Sequence, residues 1–99
     1  MKKWKMRFTH ESRILLSKLH PENKRKIKLV LNELCQNPHI GRDLQEELFG
    51  FKSLRLKKYR IIYMINEEDN YIEIYYIGPR SDVYEQFKRL LAELKNIAD

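Results

Sequence analysis

The 99-residue chain has only one cysteine, three glycines and three prolines, and it contains no long hydrophobic run. A single cysteine excludes an internal disulfide, a zinc knuckle built on thiolates and a CxxC redox pair. So little glycine and proline argues against a disordered or collagen-like chain, and no apolar segment approaches the roughly 20 residues that span a bilayer. The basic start, Met1 to Arg7, has no apolar segment behind it and does not resemble a secretory signal. We expect a cytoplasmic protein, with Cys35 as a core thiol.

Charge is what the chain has in excess. Charged residues make up 34% of the chain and hydrophobic residues 42%, which is enough for one core inside a strongly charged surface. Residues 1–60 carry 16 basic and 6 acidic side chains (+10), whereas residues 61–99 carry 4 basic and 8 acidic ones (−4). Such a basic surface favours phosphate-rich partners through counterion release, and it also fits an acidic protein partner or a purely solubilising role.

The first half of the chain has the pattern of a strand followed by two helices. Residues 3–8 alternate charged and apolar side chains with period two, which predicts a half-buried strand. Thr9 is a suitable N-cap for a short amphipathic helix, and Pro21 suits the first turn of a second helix. Asn37-Pro38 ends that helix, and a loop follows as far as Gly50. The strand residues expected to face the core are Trp4, Met6 and Phe8.

The second half returns to period two. Three antiparallel strands are predicted over residues 51–57, 59–66 and 71–77, with a turn at Lys57-Lys58 and another over residues 67–70. The middle strand is apolar on both faces, which predicts a central strand covered by the helical hairpin on one side. Gly78-Pro79 ends the last strand, and Ser81 and Asp82 can cap a final helix.

These elements predict one α+β domain over residues 1–99, in the order β-α-α-β-β-β-α. An antiparallel sheet packs against an N-terminal helical hairpin, with an extra C-terminal helix over about residues 81–97. The apolar stripe of that helix consists of Val83, Phe87, Leu90, Leu91 and Leu94.

Four cations are expected to meet at one edge of this sheet. Arg55 and Lys57 are two residues apart in one strand, Arg60 follows the turn, and Arg80 follows the end of the last strand. An arginine fork can bind two oxygens of a phosphodiester, and Tyr84 could add a hydroxyl or a stacking face. Solubility alone explains single charges on an exposed face. Arg60 differs, because a guanidinium inside an apolar strand is costly to bury without an anionic partner.

Other chemistries find little support in the sequence. His10, His20 and His39 fall in caps or loops without paired spacing, and neither a Gly-rich phosphate loop nor a Cys/His cluster is present. We therefore expect neither a metal nor a cofactor.

Several of these segments, in their order and spacing, resemble the RelE/ParE toxin superfamily over about residues 3–84. The resemblance implies an α+β toxin of a type II toxin–antitoxin pair, which a small acidic RelB-like antitoxin holds inactive. In the RelE branch it implies an endoribonuclease that cleaves mRNA in the ribosomal A site. The segments are Cys35-Gln36-Asn37-Pro38, Leu48 to Arg55, Tyr59-Arg60-Ile61-Ile62-Tyr63, Ile77-Gly78-Pro79-Arg80 and Val83-Tyr84.

The resemblance also implies roles for single residues. Arg60 would clamp the scissile phosphate, Arg80 would stabilise developing charge, and Tyr84 would stack on or orient the substrate. Arg55 and Lys57 lie where the branch places basic strand residues, and Lys57 is the better candidate for the base because arginine holds its proton too tightly. Further contacts to RNA are expected from Lys52, Lys58, Lys24, Arg25 and Lys28.

The chain departs from the family pattern at Pro79, where many relatives carry a histidine that could shuttle a proton. This departure favours one alternative, a catalytically silent module that binds an antitoxin. A second alternative, a ParE-like inhibitor of DNA gyrase that cuts nothing, stays open because the motifs are less specific for a branch of the superfamily. The C-terminal helix is also longer than a minimal toxin needs. We expect its apolar stripe to pack on the sheet in the free toxin and to be displaced by the antitoxin.

Overall fold

Five strands and three helices make up the structure, a computed structural model that describes residues 4–79 and 83–98, with side chains as far as Glu93. Two short 3-10 turns, Pro38–Ile40 and Glu46–Leu48, lie between the second helix and the third strand. In chain order the elements are β1 (Lys5–Phe8), α1 (His10–Ser17), α2 (Pro21–Gln36), β2 (Arg42–Asp43), β3 (Lys52–Leu56), β4 (Tyr59–Asn66), β5 (Tyr71–Pro79) and α3 (Val83–Ala98).

The strands form one sheet in the order β1-β5-β4-β3-β2. The predicted antiparallel meander β3-β4-β5 and the central place of β4 are confirmed. However, β1 pairs with β5 in parallel, so the sheet is mixed rather than wholly antiparallel. The segment expected to be a loop also contributes the two-residue strand β2, which pairs with β3. Period two identifies a strand but not its partner, and two residues are too few to show a period.

The predicted starts of α1 and α2 and the predicted end of α2 are confirmed, whereas α1 ends at Ser17, earlier than the expected stop at His20-Pro21. The Thr9 side chain accepts a hydrogen bond from the backbone N–H of Ser12 (3.1 Å), and Pro21 opens α2. Asn37 ends α2 before a proline. Ser12 also fastens α1 to the sheet, because its buried hydroxyl donates to the carbonyl oxygen of Ile74 in β5 at 2.7 Å.

The two faces of the sheet carry separate apolar clusters. On one face, α2 packs on alternate residues of β4 and β5, and Trp4, Met6 and Phe8 of β1 pack against this cluster as expected. On the other face lie α3 and the segment before β3. The apolar stripe of α3 therefore packs on the sheet through Phe87, while the expected caps Ser81 and Asp82 and the side chain of Leu94 lie outside the described residues. Cys35 is buried as expected.

A bulge in β5 places two tyrosines on the α3 face. Ile62 pairs with Tyr76 but Tyr63 pairs with Ile74, so Tyr75 has no partner in β4. Tyr75 and Tyr76 both pack in the cluster under α3. Phe87 is fully buried there, with its ring centroid 5.0 Å from that of Phe51 in an edge-to-face arrangement. These contacts fix the start of α3 over the sheet.

Tyr63 holds the chain between α2 and β2. Its buried hydroxyl donates to the carbonyl oxygen of Pro38 at 2.7 Å and accepts from the backbone N–H of Gly41 at 2.9 Å. A side chain at Gly41 would overlap this tyrosine ring. Within the two described ranges, no helix has both the length and the apolarity that crossing a bilayer requires.

Candidate phosphate-binding site

Two arginines lie directly opposite each other on the α3 face of the sheet. Arg55 of β3 is the cross-strand partner of Arg60 in β4, and Gly78 of β5 is the next partner in the same row. Like charges directly opposite in a sheet destabilise the pairing. The facing pair of arginines therefore lowers the stability of the fold. An anion bound between the two guanidinium groups would attract both and replace their repulsion with a favourable interaction.

Tyr84 holds Arg60 in place, and no described carboxylate neutralises it. Its Nη1 donates to the hydroxyl of Tyr84 in the first turn of α3 at 3.3 Å, and its Cζ lies 5.7 Å from the centroid of that ring. Its Nε is buried and has no hydrogen-bond partner, and no carboxylate in the part of the chain that the structure describes forms an ion pair with this side chain. An unsatisfied buried N–H costs about 1–3 kcal/mol. An anion bound beside the guanidinium would compensate its charge.

Ser53 supports Tyr84 from below. The Tyr84 hydroxyl donates to the Ser53 hydroxyl oxygen at 3.3 Å, and Ser53 is only 4% exposed. The hydroxyl of Tyr84 thus accepts from Arg60 and gives its own hydrogen to Ser53. Ser53 is not among the predicted site residues, although strand alternation places it on the same face as Arg55, two residues later.

Gly78 and Pro79 bring β5 alongside this row. A Cβ at Gly78 would lie 2.6 Å from Cε2 of Tyr76, so glycine permits a close approach that other residues would prevent. Pro79 pairs with Tyr59, the neighbour of Arg60. The strand therefore leads towards the arginine row just before Arg80, which itself lies outside the described residues.

A cleft of about 720 Å³ opens beside Tyr84, between the start of α3 and residues 42–48. Its volume is typical of small-molecule sites and is sufficient for a nucleotide. Lys88 of α3 and Glu47 of the opposite wall form an ion pair across it, with Nζ and Oε2 3.6 Å apart. Tyr84, which contacts Arg60, is therefore reached from solvent through this cleft.

The other predicted site residues lie elsewhere. Lys52 pairs with Asp43 (Nζ to Oδ1, 2.6 Å) at the β2 edge of the sheet. Lys57 and Lys58 form the turn between β3 and β4, and Lys57 has a left-handed backbone (φ 50°). Strand alternation therefore ends at Leu56 and does not place Lys57 on the face of Arg55. The remaining three cations, Lys24, Arg25 and Lys28, lie on α2, on the opposite layer.

The geometry thus brings together Arg55, Arg60 and Tyr84 and adds Ser53. No group of three or more His, Cys, Asp or Glu side chains arranged to hold a metal occurs in the ranges 4–79 and 83–93.

Comparison with known proteins identifies the family of this chain. A family model described as the ParE toxin of the type II toxin–antitoxin system parDE matches residues 4–84. The chain belongs to the RelE/ParE toxin family. It is 31% identical to toxin RelG of Mycobacterium tuberculosis over 83 residues, which cover 82% of this chain and 95% of RelG. It is also 36% identical to toxin RelE of the same organism over 59 residues, 59% of this chain, although that match spans only 61% of the relative.

Solved structures of this family share the fold. The toxin–antitoxin complex RelBE2 of Mycobacterium tuberculosis matches with a TM-score of 0.73 and 30% identity, covering 79% of this chain and 99% of the relative. The isolated RelE toxin of Escherichia coli matches with a TM-score of 0.69 and 23% identity, covering 88% and 98% of the two chains. The second likeness is evidence for the fold alone. Both agree with the predicted α+β architecture.

Proposed function

We propose that this RelE/ParE toxin is a ribosome-dependent endoribonuclease that cleaves mRNA by attack of a ribose 2′-hydroxyl on the adjacent phosphate. The observation that carries the proposal is the side chain of Arg60. It is half-buried, its Nε has no hydrogen-bond partner among the described residues, and it faces a second arginine across the sheet. Similarity to the toxins RelE and RelG supports the RelE branch.

The reaction needs charge stabilisation more than covalent chemistry. The 2′-oxygen forms a bond to phosphorus and loses its proton to a base, while the bond from phosphorus to the 5′-oxygen breaks and that oxygen receives a proton. The products are a 2′,3′-cyclic phosphate and a 5′-hydroxyl. Negative charge accumulates on the two non-bridging oxygens in between, and pre-positioned cationic donors lower the barrier at this step.

We assign these tasks to the residues of the row. Arg60 would bind one non-bridging oxygen through its guanidinium group, with Tyr84 and Ser53 holding that group in place. Arg55 would approach the same phosphate from the facing strand, and Arg80 would stabilise the developing charge. A stacked base could lie against Tyr84 in the adjoining cleft. The role of Lys57 as base stays a prediction, which a pH–rate profile of Lys57→Ala would test.

The partner that holds the toxin inactive would be an acidic antitoxin. The related chains in the RelBE2 and E. coli RelBE structures are solved as toxin–antitoxin complexes. An amphipathic antitoxin helix would place apolar residues on the sheet in place of α3 and carboxylates near the arginine row. Equal protection of α3 from protease with and without antitoxin would contradict this displacement.

Cleavage on programmed ribosomes tests the proposed activity. We expect the purified toxin to cut mRNA only when ribosomes are present, as read by primer extension. Arg60→Ala should lower the rate by about 10²–10³, the usual effect of removing one donor to a developing oxyanion. Arg13→Ala, which removes an exposed arginine from α1, is the matched control and should leave the rate unchanged. Equal rates for the two variants would contradict the assignment.

A ParE-like inhibitor of DNA gyrase is the second candidate, because the family model that matches is the one named for ParE. Inhibition of gyrase supercoiling by the purified toxin, with intact mRNA on ribosomes, would favour it. If neither assay responds, the chain is a catalytically silent antitoxin-binding module, a reading to which Pro79 gives weight.

A further inference from the structure

Part of the α3 face of the sheet is left uncovered at the end opposite the arginine row. There Glu73 of β5 pairs with Met64 of β4, and Tyr71 pairs with Asn66. A cavity of about 580 Å³ is lined by these four residues and by Tyr75. We call these five residues the open sheet face. Since α3 begins over the other end of the sheet, the open sheet face has no helix to cover it.

Three carboxylates that line this cavity have no lysine or arginine partner. Glu67 and Glu68 belong to the exposed turn between β4 and β5, and Glu73 is half-buried. Oε1 of Glu67 lies 3.7 Å from Nε2 of His39, and Oε1 of Glu73 accepts a hydrogen bond from the hydroxyl of Tyr75 at 3.0 Å. No lysine or arginine within residues 4–79 and 83–93 forms an ion pair with any of the three. The chain carries a net charge of +6, so this face is opposite in charge to the molecule as a whole.

Two cations beside this face are already engaged. Lys52 also lines the cavity, but its ammonium pairs with Asp43. Arg7 of β1 is the cross-strand partner of Glu73 and lies with its Cζ 4.1 Å from the centroid of the Tyr71 ring. A guanidinium at this distance is attracted by the negative face of the ring. Tyr71 is therefore oriented to take a cation from the open side of the sheet.

An exposed phenylalanine lies beside the same cavity. Phe49 is 78% exposed and directly precedes Gly50, which lines the cavity. The backbone N–H of Phe49 donates to the carbonyl oxygen of Glu46 at 3.1 Å, and Gly50 has a left-handed backbone (φ 97°). The turn thus directs the ring into solvent. Aromatic rings are enriched at the energetic centres of protein interfaces, so Phe49 indicates that the partner at this surface is a protein.

We propose that the open sheet face, together with Phe49, Glu67 and Glu68, docks a basic segment of a partner protein. Arginine or lysine side chains of that segment would lie on the tyrosine rings and pair with the carboxylates, and an apolar side chain would cover Phe49. Charge argues against the other two partners of this toxin, because RNA phosphates and the carboxylates of an acidic antitoxin would be repelled here. The docked segment would leave the arginine row free, since the two sites lie at opposite ends of β4.

Fluorescence anisotropy with a short labelled peptide of arginine and glycine with one central leucine tests the docking. Glu67→Gln/Glu68→Gln should bind this peptide about five- to tenfold more weakly, because two exposed ion pairs are lost. The control Glu22→Gln/Glu33→Gln removes the same charge from the exposed side of α2 and should stay within about twofold of wild type.

Single substitutions test the apolar and aromatic contacts separately. Phe49→Ser should weaken binding about fivefold, whereas Leu29→Ser, at a position on α2 that is 61% exposed, should not. Arg7→Gln should bind the peptide about two- to threefold more tightly, because the ring of Tyr71 becomes available to it. Arg13→Gln removes an equal charge from α1 and should change the affinity less.

No saturable binding of the peptide, or equal losses in the two double variants, would overturn the proposal. Equal affinity for a peptide with glutamate in place of arginine would overturn the assignment to a basic partner. Self-association of the toxin that Phe49→Ser abolishes would assign the face to a second copy of this chain instead. The proposal does not depend on the proposed cleavage, and no cleavage is measured. Absence of nuclease activity would therefore leave the docking result standing, and failure of docking would not contradict cleavage.

Discussion

Arg55 and Arg60 are opposed across the β3–β4 pair, so two like charges share one position of the sheet on the face that carries Tyr84. We expect Arg55→Gln to stabilise the free protein by about 0.2 to 1 kcal/mol, because it removes this repulsion. The gain should shrink in high salt, which screens exposed charges. Urea unfolding at low and high ionic strength measures both effects. A loss of stability at low salt would contradict the unfavourable pairing.

Arg55→Gln should lower the rate of cleavage although it raises the stability of the free protein. If the two arginines share a phosphate, Arg55→Gln lowers the cleavage rate while it raises stability, as expected where a site is maintained at the expense of folding. An Arg55→Lys variant keeps the charge but not the planar fork, so it should recover only part of the rate. Full activity of Arg55→Gln would exclude Arg55 from phosphate binding.

The hydroxyl of Ser53 should matter only through Tyr84. Ser53→Ala removes the acceptor of the Tyr84 hydrogen, and we expect about a tenfold lower rate of cleavage at saturating substrate. In a Tyr84→Phe background the same substitution should have little further effect, which a double-mutant cycle would show as coupling. Ser17→Ala is the matched control, since its hydroxyl bonds only within α1. Additive losses would place Ser53 outside this hydrogen-bond chain.

Most of the fold could be predicted from the sequence because its local signals are strong. Thr9 and Pro21 mark helix starts by their own chemistry, and the apolar β4 could only be central. The parallel partner of β1 could not be predicted, because β1 and β5 are separated by more than 60 residues and no local pattern joins them. The bulge at Tyr75 was likewise hidden, since it shows only as a shift in pairing with β4.

Part of the site could be predicted because it depends on the local alternation of side chains along a strand. Alternation within β3 and the short turn place Arg55 opposite Arg60, and this follows from sequence spacing alone. Alternation along β3 also predicts Lys57 on this face, but Lys57 lies in the turn, where its left-handed backbone ends the alternation. Ser53 was missed because a single serine gives no pattern, and only the position of Tyr84 in space gives it a role.

Alkaline pH should destabilise the fold through its buried tyrosines. Burial raises the pKa of Tyr63 from 10.0 to about 12, and burial followed by the hydrogen bond to Glu73 raises the pKa of Tyr75 to about 12. The unfolded chain therefore loses these protons first. The stabilisation is fully present below pH 10 and is lost as the pH rises through 12.

Urea unfolding at several pH values between neutrality and 12 measures this loss. Tyr63→Phe should be less stable at neutral pH by about 1–3 kcal/mol, because the N–H of Gly41 loses its acceptor. Its stability should nevertheless fall less steeply at alkaline pH, since one of the two titrating groups is gone. A slope equal to that of wild type would show that Tyr63 does not titrate differently in the two states.

Phe87 should control how firmly α3 is held on the sheet. Its ring is fully buried against Phe51 and contacts Tyr75 and Tyr76, so Phe87→Ala leaves a large cavity under the helix. Removing a buried phenylalanine costs about 3–5 kcal/mol when the element stays in place. A terminal helix can instead detach locally, and we expect faster hydrogen exchange in α3 with protection in α2 retained.

The same variant tests whether an antitoxin competes with α3. If the antitoxin must displace the helix, Phe87→Ala removes part of that cost, so an antitoxin peptide should bind it more tightly than it binds wild type. Leu29→Ala on α2 is the control, because Leu29 is 61% exposed and lies away from this cluster. Weaker peptide binding to Phe87→Ala, with α3 shown by hydrogen exchange to be released, would mean that the antitoxin binds on top of the helix rather than in its place.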